Sequence, residues 1–284
     1  MDEGARTNAG SRDKDRSRSS SRLSLPGLVP TGRDEREEPD FNAKAYLDKR
    51  VMSSAQEWFN AVTMLPGMLY SLDFLVGGRW REGVGDDSTW TDDAWTGGGA
   101  CLPPLPLVAG ASACLLYSSC SILHHCLCAV TLAPSARVAH WSRRLDAASI
   151  HLASAIASYA TTGRADYCLL TLLFNLDCIA KQFEEEIRPR RNLARTAASI
   201  VLYVLPTLAC DRSDIFWRFL VMFAVAGWLF VCYPVAGWSH GLFHLVLGFL
   251  PVLVIAAAME LESTRIDMAM TSRCGGVSLR GNGG

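Results

Sequence analysis

From Trp58 onward, apolar stretches long enough to cross a bilayer recur along the chain. A hydrocarbon core about 30 Å thick needs roughly 20 residues of helix, and one soluble core would not need so many such runs. Seven stretches are candidate spans, some of them short: Trp58 to Val76, Leu105 to Val130, Ala147 to Thr162, Tyr167 to Ile179, Ala197 to Ala209, Ile215 to Tyr233 and Trp238 to Met259. The expected fold class is therefore all-α, a seven-transmembrane helix bundle preceded by a disordered N-terminal tail.

The second, sixth and seventh stretches are the most apolar. The first holds Asn60, Pro66 and Asp73, the third is rich in Ala and Ser, and the fourth and fifth have short apolar cores. Such spans suit a bundle, because helices shielded from lipid tolerate polar groups and small side chains let backbones approach closely. The run Ala147 to Ser158 reads as an inner helix of this kind. Pro66, Pro206 and Pro251 are expected kinks whose freed carbonyls need neighbours or water.

Residues 1–50 form the polar tail, 51–262 the membrane domain and 263–284 a short flexible C-terminal tail. The N-terminal segment carries Arg16-Ser-Arg-Ser-Ser-Ser-Arg22 with acidic residues mixed in, and it lacks the apolar surface to offset its ordering entropy. It has no apolar h-region, and Asp2, Glu3, Asp13 and Asp15 argue against a transit peptide. Orientation follows from the loops. Lys44, Lys49, Arg50, Arg137, Arg143, Arg144, Lys181, Arg188, Arg190, Arg191 and Arg195 fall on one side, and Arg79, Arg81, Arg164 and Arg212 on the other. The expected topology is N-terminus cytosolic in an integral, multi-pass membrane protein. The loop from Lys181 to Arg195 reads first as a solvated topology determinant and second as a site for anionic headgroups.

A net charge of −1 gives a nucleic-acid role no electrostatic support. The ten cysteines show no CxxC pair and lie mostly in apolar stretches, where thiols behave as small apolar groups. The expected partners are membrane lipids and a lipid or small-molecule ligand.

Chemistry concentrates at helix ends. The second span ends in Ser121-Ile-Leu-His-His125, the third begins after Ser142-Arg-Arg-Leu-Asp146, and the seventh begins Trp238-Ser-His-Gly-Leu-Phe-His244. With seven spans, all three ends lie on the inner side. His240 and His244 are four apart and share a helix face, so both can hold one metal. A third imidazole from another helix gives the three-ligand, open-position arrangement of catalytic zinc. That imidazole is His124 or His125; Cys120, four before His124, and the pair Cys126 and Cys128 are further local donors. Zn²⁺ so held acidifies a water and polarises a carbonyl. His-Gly-Leu-Phe-His lacks the Glu of the zincin helix, which leaves Asp146 as the base. Ser121 can hydrogen-bond a developing oxyanion. The plainer alternatives are an interfacial His pair, a carboxylate on a helix dipole and a serine bonded within its own helix. His151, Asn175 and Asp177 read as bundle glue and Arg218 as a snorkelling cation.

These residues together resemble the haemolysin III family and its relatives, the progestin and adipoQ receptors, in a superfamily that includes the alkaline ceramidases. Glu57-Trp-Phe-Asn-Ala-Val-Thr63 resembles the family's opening E-x-x-N-A-V-T, although Met64 stands where its next His would be. Ser121 to His125 fits S-x-x-x-H, Arg143 to Ile150 is similar to R-R-L-D-x-x-x-I, and His240 to His244 fits H-x-x-x-H. The resemblance implies a seven-helix bundle with zinc on His125, His240 and His244, and it puts the family's Ser and Asp positions on Ser121 and Asp146. It also implies hydrolysis of a lipid amide such as ceramide. The competing expectation is a heptahelical receptor whose zinc is structural. A pore has least support, since no polar face runs the length of several spans.

Overall fold

The computed structural model describes residues 51–76, 103–137, 140–184, 189–209 and 212–267. The predicted N-terminal tail, most of the loop after the first span and the last seventeen residues, 268–284, lie outside these. All regular structure among the described residues is helical. The long helices are α1 (Ser54–Val76), α2 (Leu105–Val130), α3 (Trp141–Thr162), α4 (Ala165–Gln182), α5 (Pro189–Ala209) and α6 (Ser213–Cys232). The last apolar stretch divides into α7 (Ser239–Leu247) and α8 (Leu250–Met259). Helix resumes over 262–267, where Thr264 is buried.

Five of these segments are long and apolar enough to cross a membrane: α1, α2, α5, α6 and the stretch Ala236–Met259 that holds α7 and α8. Helices α3 and α4 are not apolar enough to join them, and composition explains why. Helix α3 is built of Ala and Ser, and α4 carries Asp166, Asn175, Asp177 and Lys181. The distribution of side chains is nevertheless that of a protein in lipid. Leu69 and Leu72 of α1, Leu169, Leu170 and Leu173 of α4, and Trp217, Val221 and Trp228 of α6 face outward. Glu57, Asn60, Ser121, His125, His151 and Asn175 are buried. The first set suits contact with lipid; in the second, His125, His151 and Asn175 are held by internal hydrogen bonds.

Helix α3 is the central element, in contact with α2, α4, α5 and α8. Ala148, Ala153, Ala155, Ala157, Ala160, Ser149, Ser154, Ser158 and Thr161 are all buried on it. Its hydroxyls return to its own carbonyls, as Ser154 does to Ile150 (2.8 Å), so they pack as small groups. The Ala/Ser run thus forms the inner helix its composition predicts. At the end of α3, Arg212 donates to the carbonyls of Thr161 and Ala257 (2.5 Å each) and so satisfies two helix ends at once.

The prolines differ in effect. Pro66 and Pro206 sit inside continuous helices, whereas the chain breaks at Gly248–Phe249, ahead of Pro251. Pro251 has no N–H to return to the α7 end, and Gly248 closes that end by donating to His244 (2.9 Å). Before α7 the chain turns through Tyr233 and Ala236, both left-handed (φ 50° and 47°), and a short 3-10 turn, Ala236–Trp238. Helix α7 then lies hard against α1, where a Cβ on Gly241 would overlap the Phe59 ring and come 2.9 Å from Asn60 Oδ1. Gly241→Ala is expected to destabilise the protein by about 1–3 kcal/mol, the usual cost of overpacking. Thermal unfolding in detergent reads this directly, and the bound-metal content should fall with it, because His240 and His244 flank the same contact.

Candidate metal centre

The end of α2 and the start of α7 bring three imidazoles together. His125, His240 and His244 offer nitrogens that all lie within 4.8 Å of one another. His244 Nε2 is 3.1 Å from His125 Nε2 and 3.1 Å from His240 Nε2. His125 and His244 are buried. Phe230 and Phe243 pack on the rings, with centroids 5.8 Å from His240 and 5.0 Å from His244.

Second contacts decide which nitrogens carry protons. His125 Nδ1 donates to Glu57 Oε2 (2.7 Å), which leaves its Nε2 with a bare lone pair. Glu57 Oε1 accepts from Arg137 (3.1 Å), and the same guanidinium donates to the carbonyls of Met52 (2.6 Å) and Leu132 (3.1 Å). Tyr117 Oη lies 3.5 Å from His244 Nδ1 and 3.7 Å from Met64 Sδ. With its proton toward the sulfur, Tyr117 accepts from His244 Nδ1–H, and the His244 Nε2 is bare as well. Two lone pairs 3.1 Å apart repel unless a cation lies between them. A proton can bridge only two of the three nitrogens, whereas one metal ion satisfies all three. The donor set therefore fits a metal.

The choice between the adjacent histidines is settled by direction. His124 turns away, placing Nδ1 2.9 Å from Ser142 Oγ, which in turn lies 2.8 Å from His140 Nδ1. Cys128 Sγ is 3.7 Å from the His124 ring, and neither residue belongs to the three-nitrogen cluster.

Ser121 and Asp146 lie next to each other, the carboxyl within electrostatic reach of His125. Ser121 Oγ and Asp146 Oδ1 are buried and make no hydrogen bond within the protein. Orphaned buried oxygens are rare in native structures and mark places where a ligand, ion or water belongs. Asp146 and the three histidines line one cavity of about 720 Å³ that runs between α2, α3, α5, α6 and α7. Its deeper walls are apolar, with Ile150, Ile200, Phe216, Leu220, Phe223 and Val254 among them. A chamber of this size and lining falls in the range of small-molecule sites.

The other polar residues separate cleanly. His151 and Asn175 are buried and bonded to each other (3.2 Å), as bundle glue should be. Asp177 is exposed, so the expectation that it is buried glue is corrected: its position on α4 faces outward, between Leu173 and Ala180. Arg218 also points outward and pairs with Asp214 (3.4 Å), one helical turn before it, in keeping with a snorkelling cation. Glu57 was legible only as part of a motif, Arg137 only as a topology charge, and Tyr117 not at all.

No protein-family model matches the chain, and neither does any curated protein or solved structure.

Removing the Glu57 charge tests how the imidazole is oriented. Glu57→Gln should weaken metal binding by about 10–100-fold, the usual cost of losing such a partner, as read by competition with a chelator. Tyr117→Phe should have a smaller effect, in line with its longer contact.

Proposed function

We propose that this chain is a seven-span membrane hydrolase of the haemolysin III and adipoQ receptor type, using zinc to cleave a lipid amide or ester. The observation that carries the reading is the convergence of three imidazoles, with bare Nε2 atoms on His125 and His244, beside the orphaned oxygens of Asp146 and Ser121 at a largely apolar chamber. Tetrahedral zinc with bonds of about 2.0–2.1 Å keeps its nitrogens about 3.3 Å apart, close to the 3.1 Å spacings here. Three neutral nitrogens and an open position also match catalytic zinc better than harder ions, which prefer oxygen. The order of the four motifs along the chain supports the family reading. The Lys and Arg distribution supports seven spans with a cytosolic N-terminus and the metal near the inner face.

Bound at these histidines, zinc supplies Lewis acidity. The protein supplies the rest. The apolar walls hold an acyl chain and keep bulk water out. Asp146 takes a proton from the attacking water and returns it to the leaving amine or alcohol, so that one carboxylate serves both halves of the reaction. Ser121 donates to the oxygen that gains charge at the carbonyl. Glu57 and Tyr117 hold two of the imidazoles in the orientation that aims Nε2 inward.

Purified protein should carry about one zinc per chain and release fatty acid from an acyl lipid. His240→Ala with His244→Ala should remove both the zinc and the turnover. Asp146→Asn should keep zinc and lose turnover by about 10²-fold or more. Unchanged zinc in the double variant would refute the reading. Full zinc with no turnover of any ceramide or glycerolipid, beside a ligand-dependent cellular response, would instead assign a receptor with a structural ion.

A further inference from the structure

Helix α6 presents three faces. Ile215, Phe219, Met222, Ala226 and Leu229 are buried against the bundle. Trp217, Val221, Val225 and Trp228 are exposed on the lipid side. Phe216, Leu220, Phe223, Gly227 and Phe230 line the chamber that holds the histidines. Members of this last set follow one another at intervals of three or four residues, as one face of a helix must. Each carries a large apolar side chain except Gly227.

A glycine inside a helix is less stable there than alanine, so its presence calls for a reason. Elsewhere in the bundle the reason is contact. A Cβ on Gly67 would come 3.2 Å from the Gly248 carbonyl oxygen, and one on Gly110 would come 3.0 Å from Val254. A Cβ on Gly227 would meet no atom of the described residues within 4 Å, and Gly227 lies in ordinary right-handed helix. Neither close packing nor a positive φ accounts for it. The gap is held open from both sides. Phe230 packs on Phe243 and His240, with centroids 5.1 and 5.8 Å away. Phe223 stacks on Phe219 (6.2 Å) and meets Tyr203 edge-on (6.3 Å). Those contacts keep both rings out of the space between them. Gly227 thus forms a notch between the ring that packs on the metal cluster and the wall of Phe223, Leu220 and Phe216, along which α6 rises roughly 16 Å.

We propose that Gly227 is a specificity-determining residue that gives the chamber its preference for a long acyl chain. This rests on the hydrolase reading and narrows its substrate class. With its carbonyl at the histidines, a long unbranched chain passes the notch and lies along the wall of Phe223, Leu220 and Phe216. A short chain stops on the metal side and leaves that wall unused. The α6 wall beyond the notch offers only apolar side chains, so every methylene laid on it adds affinity and no polar group is asked to pair. A large side chain at residue 227 would close the passage between Phe230 and Phe223 without touching a histidine.

Chain-length preference tests this. Full-length zinc-loaded protein in neutral detergent is given the 4-methylumbelliferyl esters of hexanoic and hexadecanoic acid. Gly227→Leu should lower the hexadecanoate-to-hexanoate ratio of kcat/KM at least about tenfold, because excluding only two methylenes from an apolar wall already amounts to that. Zinc content should stay the same. Val225→Leu, which adds bulk on the lipid side of α6, should leave the ratio where it is. Gly227→Ala should raise the melting temperature, as alanine does where nothing obstructs it. If Gly227→Leu does not fold, Gly227→Val carries the same test. A second readout needs no turnover. Stearic acid with a nitroxide near its methyl end should show a motionally restricted spin-resonance component in the wild type, and Gly227→Leu should lose it. An unchanged ratio, a lower melting temperature in Gly227→Ala, or a restricted component that is absent from the wild type or survives in Gly227→Leu would overturn the proposal. Esters cleaved at an unchanged ratio would refute only the role of Gly227. No cleavage of either ester, beside a restricted component that Gly227→Leu removes, would refute the hydrolase reading and leave the chain site standing.

Discussion

Close approach to α3 governs everything else. Its buried residues are mostly Ala, Ser and Thr, with His151 the one large group among them. With little side-chain volume in the way, α2, α4, α5 and α8 close around it. In lipid, apolar burial between helices gives no net drive, so contact distance and internal hydrogen bonds carry association. A thin central helix meets the first need. The chamber lies beside this packing and is lined by larger residues of α5 and α6 such as Ile200, Phe216 and Phe223.

A divalent ion on three neutral imidazoles would bring two positive charges into a poorly solvated region, which is costly without compensation. Two carboxyl groups stand near the cluster, Asp146 within electrostatic reach of His125 and Glu57 behind that ring. Arg137 then steadies Glu57 while fastening the segment before α1 to the turn after α2. The His125 ring, the segment before α1 and the turn after α2 are thus linked through Glu57 and Arg137.

Much of this could be read before any coordinates. Apolar runs located the helices, because hydrocarbon imposes length and composition together. The spacing of His240 and His244 announced a shared face, and the position of Asp146 at a helix start put it at the same depth. The selection of His125 over its neighbour could not be read, since adjacent residues on a helix differ by direction, and direction depends on what α1 and α3 present. Ser142 draws one ring away and Glu57 draws the other inward. Tyr117 gave no signal because its role comes from a contact 127 residues away. Asp177 misled because a polar residue in an apolar run looks buried, whereas α4 packs chiefly against α3 and α5 and exposes Asp177 on another face.

The interruption between α7 and α8 has a mechanical meaning. A helix of nine residues is too short to hold its own shape by backbone bonding alone. It packs against α1, where Gly241 makes the closest approach, and against α6, and it carries two of the three clustered imidazoles. An ion gripping them would act as a rivet, stiffening one side of the chamber as it is bound.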